Sequence, residues 1–309
     1  MNARSFLLPI LALYAEVSFA QSIDLQQRWQ AGKKYSQTIE TAQQSTIEIG
    51  GQKMDQSTTM MIEVSIAVRV HEDGKRRRMT MVYDRIAMDM SMNGQKMSFD
   101  SANPGTDPLG LGKSMGSTVG KELKILIDEK GAVTEIENYD SYIEQLGKSP
   151  VPGVDFREMH SRDALKQMIN QGALLSLPGK PIEPGASWPF EQVLALPKIG
   201  KVSTRGSYTY KGMAQRSGAN CAELTTEGKL AMDVSGEAGA VSPLAMKVTD
   251  GTIAGTVWFD PQLGVMRESQ IQQDMTMNMK NPADPAGADL TIPMKQTVTL
   301  KTTKIEDLK

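Results

Sequence analysis

The chain of 309 residues has one cysteine, two histidines and only 5% aromatic residues. Each scarcity closes off a class of chemistry. A single thiol cannot form a disulfide within the chain, so Cys221 reads as a buried, inert thiol. Too few Cys and His are present for the ligand sets of zinc, haem or iron–sulfur centres, and no cofactor is expected. Charge of one sign is lacking too, since 34 Lys and Arg against 36 Asp and Glu leave a net charge of -2. A phosphate-binding surface needs a surplus of clustered cations, so nucleic acid is excluded as a partner. Beyond the N-terminus no apolar run approaches the ~20 residues of a membrane-spanning helix, and no integral membrane segment is expected in the mature chain.

Catalytic patterns are also missing. The sequence has no paired-cysteine zinc motif. Gly110-Leu111-Gly112-Lys113-Ser114 ends like a phosphate loop but lacks the four-residue spacer before Gly-Lys-Ser. His160, Ser161 and Asp163 lie too close in sequence for a triad, whose members converge from separate elements, and Ser161 is placed to cap a helix. Asp100, Asp107, Asp284 and Asp289 sit in loops explained by Asx-Pro turns, with spacing unlike any EF-hand. The expectation is a non-catalytic protein with no metal site. A hydrolase with scattered carboxylates is the enzymatic alternative.

What is present begins at the N-terminus. Met1-Asn2-Ala3-Arg4 is followed by the apolar run 5–15 and by small residues at Ser18 and Ala20. This is the layout of a secretory signal peptide over 1–20, which makes the protein exported, to the periplasm or beyond the cell.

The remaining chain alternates with period two and is rich in Thr, Val, Ile and Met. Met60, Ile62, Val64, Ile66, Val68 and Val70 share one face of a strand, the turn His71-Glu72-Asp73-Gly74 follows, and 75–92 returns. Further hairpins are predicted at 122–138 and 252–280. Helix is predicted only within about 139–172, including a segment capped by Ser161 with Leu165, Met168 and Ile169 on one face. Pro178, Pro181, Pro184, Pro189 and Pro197 then mark a connection. The fold expected is mainly β (α+β): two similar antiparallel, curved sheet halves, 21–177 and 178–309, with a short helical segment between them. Asp89-Met90-Ser91-Met92-Asn93 recurs as Asp274-Met275-Thr276-Met277-Asn278, which suggests an internal duplication.

The 21 methionines are the most distinctive feature. Met88, Met90 and Met92 share one strand face, as do Met275, Met277 and Met279. Upstream Met79, Met81 and Tyr83 have the opposite phase, which a bulge near Asp84-Arg85 reconciles. Three readings stay open for these clusters: packed core, an adaptable groove for an apolar ligand, or a soft-metal site. The run Lys75-Arg76-Arg77-Arg78 reads as a solvated hairpin end, or alternatively as a contact for anionic lipid.

Trp29-Gln30-Ala31-Gly32-Lys33-Lys34-Tyr35, Phe99-Asp100-Ser101 and Pro184-Gly185-Ala186-Ser187-Trp188 resemble a family of uncharacterised secreted bacterial proteins, a domain of unknown function. The architecture is similar to the curved half-barrels of bacterial lipoprotein carriers. No catalytic residue comes with that resemblance. The expected role is an envelope binding or scaffold protein, with Met88, Met90, Met92, Met275, Met277 and Met279 as the candidate ligand-binding set. Its partner would be an apolar small molecule, a lipid or an envelope protein. The alternative is a structural or protein-interaction module with a filled core. N-terminal sequencing of the exported protein should return Gln21 as the first residue, whereas a start at Met1 would mean that no signal is removed.

Overall fold

A computed structural model describes residues 22–49, 52–103, 116–146, 161–173, 176–196, 200–233, 246–279 and 289–308. The expected signal peptide, the phosphate-loop-like segment, His160, Asp107 and Asp284 lie outside these residues.

Period-two patterning builds twelve strands. They are β1 (Lys33–Ile49), β2 (Gln52–Val70), β3 (Arg77–Met92), β4 (Gln95–Asp100), β5 (Glu122–Ile127) and β6 (Val133–Ile136), then β7 (Ser187–Leu196), β8 (Gly200–Arg216), β9 (Ala219–Asp233), β10 (Met246–Asp260), β11 (Val265–Met279) and β12 (Leu290–Asp307). Two helices, α1 (Tyr139–Leu146) and α2 (Arg162–Ala173), lie between the two sets of strands. All ladders are antiparallel and form one 12-stranded sheet, ordered β6-β5-β3-β2-β1-β12-β11-β10-β9-β8-β7 with β4 paired to β3. The N-terminal strands make one half and the C-terminal strands the other. They meet where the first strand pairs with the last, from Lys33 opposite Asp307 to Ser45 opposite Met294.

The sheet curls. Its edge strands β6 and β7 are both held by α2, through Asn170 Oδ1 accepting from Val133 N, Lys166 Nζ donating to Thr134 O, and Gln167 Nε2 donating to Val193 O. A helix is roughly 10 Å across, so the two edges approach to about that width. Ser161 caps α2 by accepting from Ala164 N at 3.3 Å. Leu165 is buried and Ile169 packs beside it. Met168 was expected on that face, but it is 42% exposed. The helix therefore touches the sheet along a narrower strip than its apolar pattern predicts.

The face enclosed by the curl carries the core, concentrated at one end. One cluster joins Tyr35, Val64, Ile66 and Val68 to Ile125, Ile127 and the helical Tyr142, Ile143 and Leu165. A second joins Phe190, Tyr210, Leu224, Val257 and Phe259. Residues 22–30 cross this end and serve both, since Leu25 belongs to the second cluster and Trp29 to the first, where its ring meets Tyr35 edge-on at 5.0 Å. Backbone bonds fix the crossing: Ile23 and Ile182 exchange a pair, and Arg28 N donates to Gly264 O. Gly264 has φ +70°, and a Cβ there would lie 2.7 Å from Arg28 N, so the turn and the crossing segment both require glycine. Val70, placed by its phase on the buried face, is 61% exposed because β2 outruns the core.

Two details bear out finer expectations. The register between β2 and β3 shifts between Glu63 and Val64, paired to Arg85 and Tyr83, so Asp84 is the extra residue of a bulge. Met79 and Met81 thereby share the inner face with Met88 and Met90. The repeated pentapeptides also fall on comparable strands. β1-β2-β3 and β9-β10-β11 are both antiparallel meanders, and each third strand carries one bulge and one repeat, with Asn93 of the first repeat in the turn after β3.

Outside the curl the same end is tied by charge. Arg216 makes two bonds to Glu268, 2.8 and 2.7 Å, while stacking over Trp258 at 4.2 Å. Glu268 is 5% exposed, and the Arg216 guanidinium, opposed by burial, holds its carboxyl below the ordinary 4.5. A depressed carboxylate stabilises the fold above its ordinary value, and that stabilisation is lost as pH falls through the lowered one. Glu268→Gln should cost about 1–2 kcal/mol at pH 7. It should also flatten the acid limb of a thermal-midpoint profile below pH ~4.5, and an unchanged limb would remove Glu268 from the acid response.

Candidate functional site

Beyond the packed end, the inner face continues along the far half of the long strands and changes character. The ladders define cross-strand rows. One runs from Met97 through Met90, Thr58 and Gln43 to Gln296 and Gln273, then joins the second buried cluster at Ile253 and continues through Gly228 and Gly206 to Phe190. The rows through Met60, Thr58, Gln56 and Met54 on β2, and through Ile271, Gln273, Met275 and Met277 on β11, receive no Asp, Glu, Lys or Arg from any paired strand. Charges fall on the other face, as in the cross-strand pairs Lys295 with Asp274 and Lys301 with Glu268.

These rows are less evenly buried than the packed end: Ser45, Met232, Val248, Ile292 and Met294 are buried, but many of their neighbours are not. Met54, Met60, Met88, Met90, Met97, Met275 and Met277 are half-buried, as are Gln43, Gln56, Gln273 and Gln296. Their neighbours on the opposite face are mostly exposed. A filled core would bury both Met and Gln completely, whereas a wall facing open space leaves them partly accessible. A groove of about 510 Å³ at the strand tips lies mainly on the opposite face, lined by Gln44, Thr46, Asp55, Ser57, Pro293 and Lys295.

The candidate methionines divide into two patches. Met88 lies opposite Met60 and Phe99, and Met90 opposite Met97 and Thr58. Met92, at the tip, is 41% exposed. Met275 lies opposite Met294, and Met277 opposite Ile292 and Val248. Met279 pairs with Leu290 in backbone register. Strands β2, β1 and β12 separate the patches, so they share a face without forming one ladder-paired cluster. Sequence reasoning missed Met97 and Met294 as members, and the polar rows between the patches. Period two alone could have found Met294, since Ile292, Met294, Gln296 and Val298 alternate with Thr291, Pro293, Lys295, Thr297 and Thr299.

The other candidates are spread over the fold. His71 sits at the hairpin end with Asp73 Oδ2 at 3.1 Å and Glu137 Oε1 at 3.8 Å. In the adjoining basic run, Arg76 pairs with Asp73 and Arg78 makes two bonds to Glu137, which neutralises much of that patch. Asp100 accepts two bonds from Arg85, and the guanidinium holds its carboxyl down at about 2. Cys221 is fully buried, and burial pushes its thiol up to about 11, which suppresses the nucleophilic thiolate. Among the described residues, no group of three or more His, Cys, Asp or Glu is placed to hold a metal ion.

The profile of a family of unknown function, DUF6263, matches residues 74–266. The chain belongs to this family. Phe99–Ser101 and Pro184–Trp188 lie inside the DUF6263 match, while Trp29–Tyr35 precedes it. No curated protein matches the chain. Among solved structures, it is similar to one described as lipid-protein interactions in lipovitellin, with 11% identity over 91% of this chain and 26% of that one, TM-score 0.48. It is also similar to DynF from the dynemicin biosynthesis pathway of Micromonospora chersina, with 6% identity over 94% and 88%, TM-score 0.23. A third is the outer membrane protein OprG from Pseudomonas aeruginosa, with 9% identity over 90% and 97%, TM-score 0.20. This chain spans about a quarter of the lipovitellin chain. All three scores lie below 0.5, and no shared function follows from them.

Because Met90 is half-buried, Met90→Ala should cost about 0.5–2 kcal/mol, less than the 2–5 of a fully buried methionine. Met90→Leu should cost under about 1 kcal/mol. Urea unfolding of both variants measures this, and a loss above about 3 kcal/mol for Met90→Ala would mean that this row is packed core.

Proposed function

We propose that this DUF6263 member is an exported, non-catalytic binding protein of the bacterial envelope, and that it holds an apolar ligand against the far half of its inner sheet face. The observation that carries this reading is the difference between the two ends of one face. At one end two clusters are fully buried, and at the other the uncharged rows are only partly so, with Ile292 and Met294 buried but Met54, Met60, Met90, Met275 and Met277 half-buried. A wall that is apolar, uncharged and incompletely covered suits a hydrophobic guest. Unbranched thioethers repack around guests of different shape, which suits a carrier better than a single-substrate enzyme. The N-terminal segment, read as an export signal, supports an envelope location.

A second reading, a structural or protein-interaction module, is favoured by the fully packed end alone. The two differ in what the purified protein carries. Mass spectrometry of an organic-solvent extract of the folded, exported protein should find an apolar molecule in near-stoichiometric amount. The amount should drop several-fold in Met90→Ala/Met275→Ala. Clean extracts from folded protein, with no uptake of added lipid, would favour the second reading.

A further inference from the structure

The inner wall is uncharged, but it is not uniformly apolar. Gln273, Gln296 and Gln43 are successive partners across β11, β12 and β1, and Thr58 continues the row on β2. One row nearer the tips, Gln56 lies opposite Ser45. Neighbouring strands are ~4.8 Å apart, so the three amides span about 10 Å of wall. Methionine patches flank them, with Met90 and Met97 beyond Thr58 and Met275 beside Gln273 along β11.

Among the described residues, the side chains of Gln43, Gln273 and Gln296 make no hydrogen bond to the protein. They do not bond one another, although cross-strand partners are close enough for an amide ladder. Each keeps two N–H donors and a carbonyl acceptor directed to whatever fills the space before the sheet. Water can reach these half-buried amides, so a guest that covers them must replace that water with hydrogen bonds of its own. The wall therefore offers donors and acceptors at its centre, apolar contact on both sides, and no counter-charge on any paired strand of these rows.

We infer that the ligand is a neutral acyl-ester lipid of the diacylglycerol type. Its acyl chains lie on the two methionine patches, and its ester carbonyls and free hydroxyl bond the Gln273–Gln296–Gln43 row. Charge selects against the related lipids: a fatty-acid carboxylate or a phospholipid phosphate would be desolvated on this wall with no cation to pair it. Hydrocarbon without carbonyls would leave the amides unpartnered. This inference rests on the carrier reading above and narrows its ligand.

Equilibrium gel filtration of the purified mature protein with radiolabelled dioleoylglycerol, oleate or dioleoylphosphatidylglycerol at pH 9 tests it. Dioleoylglycerol should bind at least about tenfold tighter than either charged probe. Gln43→Leu/Gln296→Leu should keep its thermal midpoint, because no protein hydrogen bond is removed, yet bind dioleoylglycerol about five- to tenfold more weakly. Its retention of a plain long-chain alkane should be unchanged or stronger. If oleate or the phospholipid binds as tightly as dioleoylglycerol, or if the double variant binds dioleoylglycerol like the parent, the carrier reading stands and the neutral-ester assignment falls. If the folded protein binds none of the lipid probes, both fall. If the double variant fails to fold, Gln43→Ser/Gln296→Ser keeps a hydroxyl at each position. It should then bind dioleoylglycerol less tightly than the parent without gaining oleate, and parent-like binding would overturn the assignment.

Discussion

The β1–β12 ladder is the joint on which the architecture depends. Without it the chain would form two separate antiparallel sheets, each exposing a long unpaired edge at β1 or β12, and such edges invite pairing with other chains. With it, the polar groups along both edges are satisfied by each other, from Lys33 opposite Asp307 to Ser45 opposite Met294. The remaining edges, β6 and β7, are then far apart in strand order but close in space, and α2 occupies the gap. Curl, enclosure and the distinction between inner and outer faces all follow from that one closure.

Enclosure then sorts the side chains. Alternation puts every second residue inside, and a long strand would ordinarily supply charges to both faces unless composition prevented it. In β2 the inward positions from Met54 to Val68 hold only Met, Gln, Thr, Ile and Val, while Lys53, Asp55 and Glu63 face outward. The helices and residues 22–30 fill one end, so burial there is complete. At the other end the same inward pattern continues with no helix in front of it among the described residues, and burial becomes uneven, complete at Ile292 and Met294 but partial at Met54, Met90 and Met275.

Much of this was legible in the sequence. The β class, the three hairpins, the confinement of helix to the middle, the Asp84 bulge and the inward phase of Met90 and Met275 all follow from period two and turn chemistry. These are local properties, written in neighbouring residues. The seam between β1 and β12 was not legible, because pairing partners separated by almost the whole chain leave no local signature. The glutamine row escaped for a related reason. Gln43, Gln273 and Gln296 lie on three strands, and only the register between those strands makes them neighbours. Met168 misled because an apolar helical position is buried only if something packs on it.

The closing helix is joined differently from everything else in the ring. Each strand-to-strand contact of the main sheet is a ladder of repeated backbone bonds, so separating two strands breaks many at once. α2 meets β6 and β7 through the apolar packing of Leu165 and Ile169 and through single side chains, Asn170, Lys166 and Gln167, each bonded to a backbone group. Proteins open first where the fewest cooperative bonds must break. The ring thus has one joint without a ladder, and opening should begin at the seam between α2 and the two edge strands rather than evenly around the sheet.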